Sequence, residues 1–157
     1  MLTPNDLQHF MDERGIEGEI IFLQDETPTV EAAAQALGTQ PGAIGKSVLF
    51  TIKNGAPILA ISRGTRLIEK RVIAQLLEVG RKRVRLAPPE VVLEHTGYPV
   101  GTVPPFGHPS PLRTLLDPSV LELDQIYAGA GAHNAMLRLD PQDILKTCQA
   151  EIIDLHN

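Results

Sequence analysis

Gly45-Lys46-Ser47-Val48-Leu49-Phe50-Thr51-Ile52-Lys53-Asn54-Gly55-Ala56-Pro57-Ile58-Leu59-Ala60-Ile61-Ser62 carries the clearest structural signal in the chain. Apolar residues recur on both sides of Asn54-Gly55, the dipeptide favoured in two-residue type I′ turns. That pattern predicts a hairpin with strands over 47–53 and 56–62. Val48, Phe50 and Ile52 share one face of the first strand, so this face lies on a core.

On the upstream side, Thr3-Pro4-Asn5-Asp6 reads as a helix start: Thr3 is the N-cap, Pro4 takes the first helical position and Asp6 completes a capping box. Leu7, Phe10 and Met11 form its buried stripe, Gly15 ends it, and residues 19–23 are apolar enough for a strand. Thr29 caps a second helix with Val30, Ala33, Ala34 and Leu37 on one face and Gly38 as its stop. On the downstream side, a third helix covers 69–77 with Gly80 beyond its end, and residues 81–86 form a short basic strand or sheet edge. Pro88-Pro89-Glu90 opens a fourth helix that stops near Gly97. A proline- and glycine-rich loop then runs over 98–111, and such loops in compact domains are usually functional. Residues 112–116, 125–128 and 135–139 read as strands, Asp140-Pro141-Gln142-Asp143 as the capping box of a last helix, and 151–155 as a final strand. Helices and strands intermix without β-α-β repetition, which favours one α+β domain over 1–157 with a mixed or antiparallel sheet.

At 157 residues and 17.1 kDa the chain buries roughly 70% of its unfolded surface and needs no disulfides. Its one cysteine, Cys148, leaves nothing to pair within the chain and points to a reducing compartment. No apolar run approaches the roughly 20 residues of a membrane span, and the first residues lack the pattern of a signal peptide, so the expected location is the cytoplasm. The net charge of -5 conceals a basic section: residues 46–85 hold ten of the fourteen Lys and Arg against Glu69 and Glu78. Such a section binds a polyanion locally because exposed charges more than about 10 Å away are screened; the plainer reading is a solvated face with counter-charges folded nearby. Aromatic residues at 4% and the absence of tryptophan argue against recognition by stacking on bases.

The signatures of serine hydrolases, zinc proteases and P-loop proteins are all absent. Gly129-Ala130-Gly131 begins like a dinucleotide fingerprint, but Asn134 stands where the third glycine belongs. The five histidines show no metal-ligand spacing, and Cys148 falls on the apolar side of the last helix as a packing thiol. Three features remain. Lys46 stands where a glycine-rich loop becomes a strand; it is either a solvated edge charge or a point charge reaching into a pocket. Residues 97–108 combine glycines that let a backbone approach a ligand with prolines that hold it rigid, leaving the N–H groups of Thr102 and Val103 to donate to a carbonyl; a purely structural turn is the alternative. The small-residue turn over 127–134 can line a cavity.

At these residues the chain resembles the YbaK/prolyl-tRNA synthetase-associated domain family, the free-standing trans-editing aminoacyl-tRNA deacylases. The likeness runs through the helix over 29–37, the IGKSVLF strand carrying Lys46, the GYPVGTVPPFGH loop with G-x-x-x-P at 101–105, and the closing GAGAHNAMLRLDPQDIL. It implies an α+β (mixed α/β) fold with a barrel-like mixed β-sheet surrounded by helices, and hydrolysis of a wrongly attached small amino acid from tRNA, typically tRNA for proline. Lys46 matches the family's active-site lysine, which holds the terminal adenosine end, and Gly101, Thr102 and Val103 match the loop whose amides hold the aminoacyl carbonyl. Pro104, Pro105, Gly129, Ala130, Gly131 and His133 complete the implied pocket. Arg63, Arg66, Lys70, Arg71, Arg81, Lys82 and Arg83 are the implied tRNA contacts. The resemblance implies no metal, cofactor or protein nucleophile, since the ester is already activated and a positioned water or the vicinal ribose hydroxyl suffices. The implied partners are a mischarged tRNA and an aminoacyl-tRNA synthetase, with no membrane. Cysteine as substrate does not carry over: that branch has a Ser-Gly-Gly-Lys-Arg-Gly turn and an acidic residue in the next strand, where this chain has residues 129–134 and Met136. His133 reads either as a contact to the substrate's amino group or hydroxyl or as a plain turn histidine. Two other readings stay open: a catalytically silent module that binds tRNA or a synthetase, and a small-ligand binder.

Overall fold

Helix α1 (Pro4–Arg14) begins as its sequence dictates. The Thr3 N–H and hydroxyl both donate to the Asp6 carboxylate, at 2.8 and 3.0 Å, and the backbone bond holds that carboxyl below the ordinary aspartate value. The computed structural model describes residues 1–156, and among these five α-helices flank two sheets. The remaining helices are α2 (Val30–Leu37), α3 (Lys70–Leu77), α4 (Pro89–Thr96) and α5 (Pro141–Cys148). None of the described helices is long and apolar enough to cross a membrane.

The smaller sheet is antiparallel throughout, with β1 (Gly18–Phe22) and β6 (Ile126–Gly129) on either side of β7 (Ala135–Leu139). In the larger sheet, β2 (Gly45–Ile52) pairs antiparallel with β3 (Ile58–Arg63) and with the edge strand β4 (Val84–Leu86). β3 continues in parallel to β5 (Arg113–Leu116), and β5 to β8 (Glu151–Ile152). A parallel bridge from Ile44 to Tyr127 joins the sheets, so they curl around a shared core as a barrel-like wall that stays open. Leu49, Leu59, Ile61, Leu116, Leu137 and Leu139 fill this core, while Phe50, Ile58, Ala60 and Leu115 pack on the opposite face of the larger sheet.

Val48 and Ile52 pack beside Phe50 as the alternation predicts, but the hairpin turn differs from the two-residue form. The last paired residues are Phe50 and Ile58, and the tight turn closes from Ile52 C=O to Gly55 N–H at 3.0 Å, with Asn54 left-handed at φ 61°. Two forces outweigh the dipeptide preference: Pro57 has no N–H for the ladder, and the end of β2 turns to pair with β4 through Ile52 and Val84. Helix α3 stops at Leu77, where the sequence reading ends it, although Gly80 is not its cap. Glu78 takes the left-handed cap at φ 56°, and Val79 N–H then bonds Ala74 C=O at 3.0 Å while its side chain packs on the core beneath α3.

The final strand is shorter than 151–155 because Asp117 captures the chain. Its carboxylate accepts the Leu155 N–H at 2.9 Å, the Ser119 N–H at 3.0 Å and the Ser119 hydroxyl, and His156 Nε2 lies 3.6 Å away. That same nitrogen lies 2.7 Å from Ser62 Oγ while Nδ1 meets Leu67 C=O. Ser62 is fully buried, so this serine, histidine and aspartate clamp the chain end and present no nucleophile. Burial raises the Asp117 carboxyl, but its donors and His156 outweigh burial and bring it below the usual value. We expect Asp117→Asn to lower stability by roughly 2–3 kcal/mol at neutral pH. A depressed folded-state value means the contribution is complete above the unfolded value of 3.8 and is lost as pH falls through the folded one. Urea unfolding of both proteins across acidic pH checks this: the difference between them should shrink on acidification, and a pH-independent gap contradicts it.

Candidate functional site

A cavity of about 330 Å³ opens where β2, β4, β6, α2, α4 and the loop after α4 converge. Each wall has a local cause. Thr29 Oγ1 accepts the Ala32 N–H at 3.0 Å, which starts α2 there and sets Val30 and Ala33 against the cavity. Lys46, Ser47, Val48 and Leu49 come from the start of β2, held in register by pairing of Lys46 with Ser62 and of Ser47 with Ile61. Leu86 ends the edge strand and Ala87 follows it, Val92 comes from α4, Gly129 from β6 and Met136 from β7.

Of the residues expected at the site, Lys46, Gly101, Val103 and Gly129 all line this cavity; Thr102, Pro104, Pro105, Ala130 and Gly131 are buried and do not line it. His133 is exposed at the rim, its ring 3.6 Å from where a Cβ on Gly101 would sit. Lys46 is half-buried, forms no ion pair among the described residues, and shares the cavity with no carboxylate. Desolvation pushes its ammonium below the ordinary lysine value, and a cation so placed attracts an anionic or electron-rich ligand with little competition from water. Among the described residues no three His, Cys, Asp or Glu side chains cluster as metal ligands do.

The loop is aimed by hydrogen bonds. Thr102 differs from the expectation of a free donor: its N–H and hydroxyl both donate to Pro99 C=O, at 3.1 and 2.7 Å. The Thr102 C=O in turn accepts the Gly131 N–H at 2.9 Å. In a planar trans peptide the N–H points opposite to the C=O, so this bond turns the Val103 N–H away from Gly131. That N–H has no partner among the described residues, and Val103 lines the cavity. Thr102 therefore sets the orientation of this peptide plane, and of the two N–H groups that of Val103 is the one left without a partner among the described residues. Gly129 makes the arrangement possible, because a Cβ there would fall 2.5 Å from Val103 O and 2.7 Å from Thr102 O.

The basic residues divide. Arg63 donates to Ser119 C=O at 3.0 and 2.8 Å and lies 3.6 Å from Glu122, so its guanidinium braces β3 against the turn at Ser119. Arg83 donates to Lys53 C=O at 3.0 Å. Arg66, Lys70, Arg81, Lys82 and Arg85 are exposed. Arg81 and Lys82 lead into the edge strand that ends at the cavity, four or five residues before Leu86.

Sequence reasoning missed Ser47, the α2 wall and the mouth residues Leu86 and Val100, which are 63% and 48% exposed. Ser47 Oγ is buried with no hydrogen-bond partner among the described residues. Exposed apolar side chains at the end of a basic strand are a signal readable only once that strand is known to border a cavity.

The profile of the aminoacyl-tRNA editing domain family matches residues 24–147. The Escherichia coli (strain K12) multifunctional Ser/Thr-tRNA deacylase ProXp-y is 30% identical over 128 residues, covering 79% of this chain and 75% of that protein. The Bacillus subtilis protein YwhH, whose function is unassigned, is 27% identical over 82% of this chain and 80% of its own length. A proline–tRNA ligase of Thermotoga neapolitana is 32% identical over 64% of this chain and 17% of the ligase. Among solved structures, one provisionally described as a trans-editing enzyme for prolyl tRNA synthetase superposes with a TM-score of 0.90 at 31% identity, covering 100% of this chain and 99% of that one.

Proposed function

We propose that this chain, which belongs to the aminoacyl-tRNA editing domain family, hydrolyses the ester of a mischarged small amino acid on tRNA, with tRNA for proline as the preferred carrier. The observation that carries the reading is the meeting of an unpaired lysine and an unpartnered, oriented backbone N–H in one cavity. Lys46 holds the terminal adenosine end. The Val103 amide receives the oxygen of the aminoacyl carbonyl, whose negative charge grows as the carbon becomes tetrahedral. A water or the vicinal ribose hydroxyl attacks that carbon; the bond to the ribose oxygen breaks, and the attacking group's proton passes to the departing oxygen. In the ribose route the ester moves to the neighbouring hydroxyl before water releases the amino acid. Small residues such as Ala33 and Ala87 beside Ile44 and Val92 suit a small side chain. The protein acts in the cytoplasm on free charged tRNA, alone or beside a synthetase.

The exposed cations Arg81 and Lys82 lie within roughly 18 Å of Leu86 by chain length and meet the phosphates next to the aminoacylated end. Reversing both to Glu is expected to raise KM about tenfold or more and flatten the salt dependence of binding, with kcat nearly unchanged. Arg83 is left intact in this variant because it braces Lys53. Deacylation kinetics on a panel of mischarged tRNAs at several salt concentrations provide the test. Release of none of the amino acids by the wild type, with salt-sensitive binding retained, replaces the hydrolase with the silent binding module.

A further inference from the structure

A second cavity, of about 370 Å³, lies behind the loop, on the side formed by Phe10, Phe106, His108, Thr114 and Cys148. Two side chains there are bonded to consecutive proline carbonyls. His108 Nε2 lies 2.9 Å from Pro104 C=O, and Cys148 Sγ donates to Pro105 C=O at 3.1 Å. A carbonyl only accepts, so the histidine carries its proton on Nε2. We propose that His108 and Cys148 are positioning residues which anchor the main chain of residues 103–106 from behind and thereby hold the Val103 N–H on its target.

This segment has few free torsions. Pro104 and Pro105 have fixed φ, and Val103 and Pro104 each precede a proline, which confines their ψ to the extended region. What stays adjustable is φ of Val103 and ψ of Pro105, and the peptide planes that follow Pro104 and Pro105 are each held by one of these donors. The Phe106 ring, stacked on Phe10 at 5.4 Å between centroids, secures the downstream end, and Gly131 secures the upstream end at Thr102. Burial favours the state that each role requires. Desolvation lowers the His108 value although its bond to Pro104 opposes the change, which favours the neutral ring. The Cys148 thiol is pushed up to about 12 by desolvation and so remains a donor.

This inference builds on the deacylase reading, and its test separates the two. His108→Gln and Cys148→Ser keep a donor near the same position, whereas His108→Leu and Cys148→Ala remove it. With the wild type active, the donor-less variants should lose about 10- to 30-fold in kcat with KM changed less than threefold, and the donor-retaining variants should recover to within about threefold. In the double variant the losses should combine to less than their product, because both act on one rigid segment. Independently of activity, amide exchange at Gly131, whose N–H bonds Thr102, should accelerate in the donor-less proteins and not in the rescued ones. Wild-type kcat and unchanged Gly131 exchange in His108→Leu and Cys148→Ala overturn the anchoring role. Equal losses in the rescued variants do so as well. An inactive wild type rejects the deacylase reading alone, and exchange at Gly131 still decides the anchoring.

Discussion

Lys46→Ala should lower kcat/KM for release of amino acid from mischarged tRNA by about 100- to 1,000-fold, the range seen when one charge-stabilising group is removed from a water-poor site. The size of the effect follows from isolation. Among the described residues no carboxylate and no second Lys or Arg lines the cavity with Lys46, so the neighbouring side chains offer neither a competing anion nor a substitute cation, and desolvation already depresses its ammonium. Lys46→Arg should restore little, because a planar guanidinium is wider than an ammonium and the start of β2 is walled by Ile44, Val48 and Leu49. Single-turnover deacylation with purified charged tRNA measures both variants. Turnover of Lys46→Ala at the wild-type rate would remove this lysine from the chemistry.

Gly129→Ala, a change of one methyl group, is expected to act nearly as strongly. The added carbon would meet main-chain oxygens of Val103 and Thr102 at 2.5 and 2.7 Å, and both sides of this contact are backbone. β6 is bound in its sheet through the pairing of Gly129 with Met136, so the loop is the part that yields. A displacement of about 1 Å at a positioned donor costs on the order of 100-fold in rate, and the crowding should also destabilise the fold by roughly 1–3 kcal/mol. Thermal unfolding together with kcat gives the check. A variant with full activity and an unchanged melting temperature would mean that the loop tolerates movement and that the Val103 N–H needs no fixed aim.

The elements legible in the residues were those with local causes. Caps at Thr3 and Thr29, the left-handed stop at Gly97 and the alternation through Val48, Phe50 and Ile52 all depend on neighbours a few positions away. Most of the misread details have distant causes. The turn at Asn54 shifts because β4 pairs with Ile52, and the last strand ends early because Asp117 takes the Leu155 N–H. Arg63 reads as one more phosphate-binding cation until Ser119 and Glu122 are seen beside it. Thr102 reads as a free donor until the turn of its own loop brings Pro99 C=O within 3.1 Å.

The amino-acid order by itself determined which groups are the candidates for chemistry: one lysine at a strand entry, a stiff proline loop, and the small residues at 129–131 that let main chain meet main chain. Only the tertiary structure decided which backbone N–H is offered and which cations are engaged elsewhere. Propensity and capping act over a few residues, whereas the direction of an amide depends on what bonds the carbonyl on the other side of its peptide plane. Here that partner is Gly131, 29 positions along the chain from Thr102.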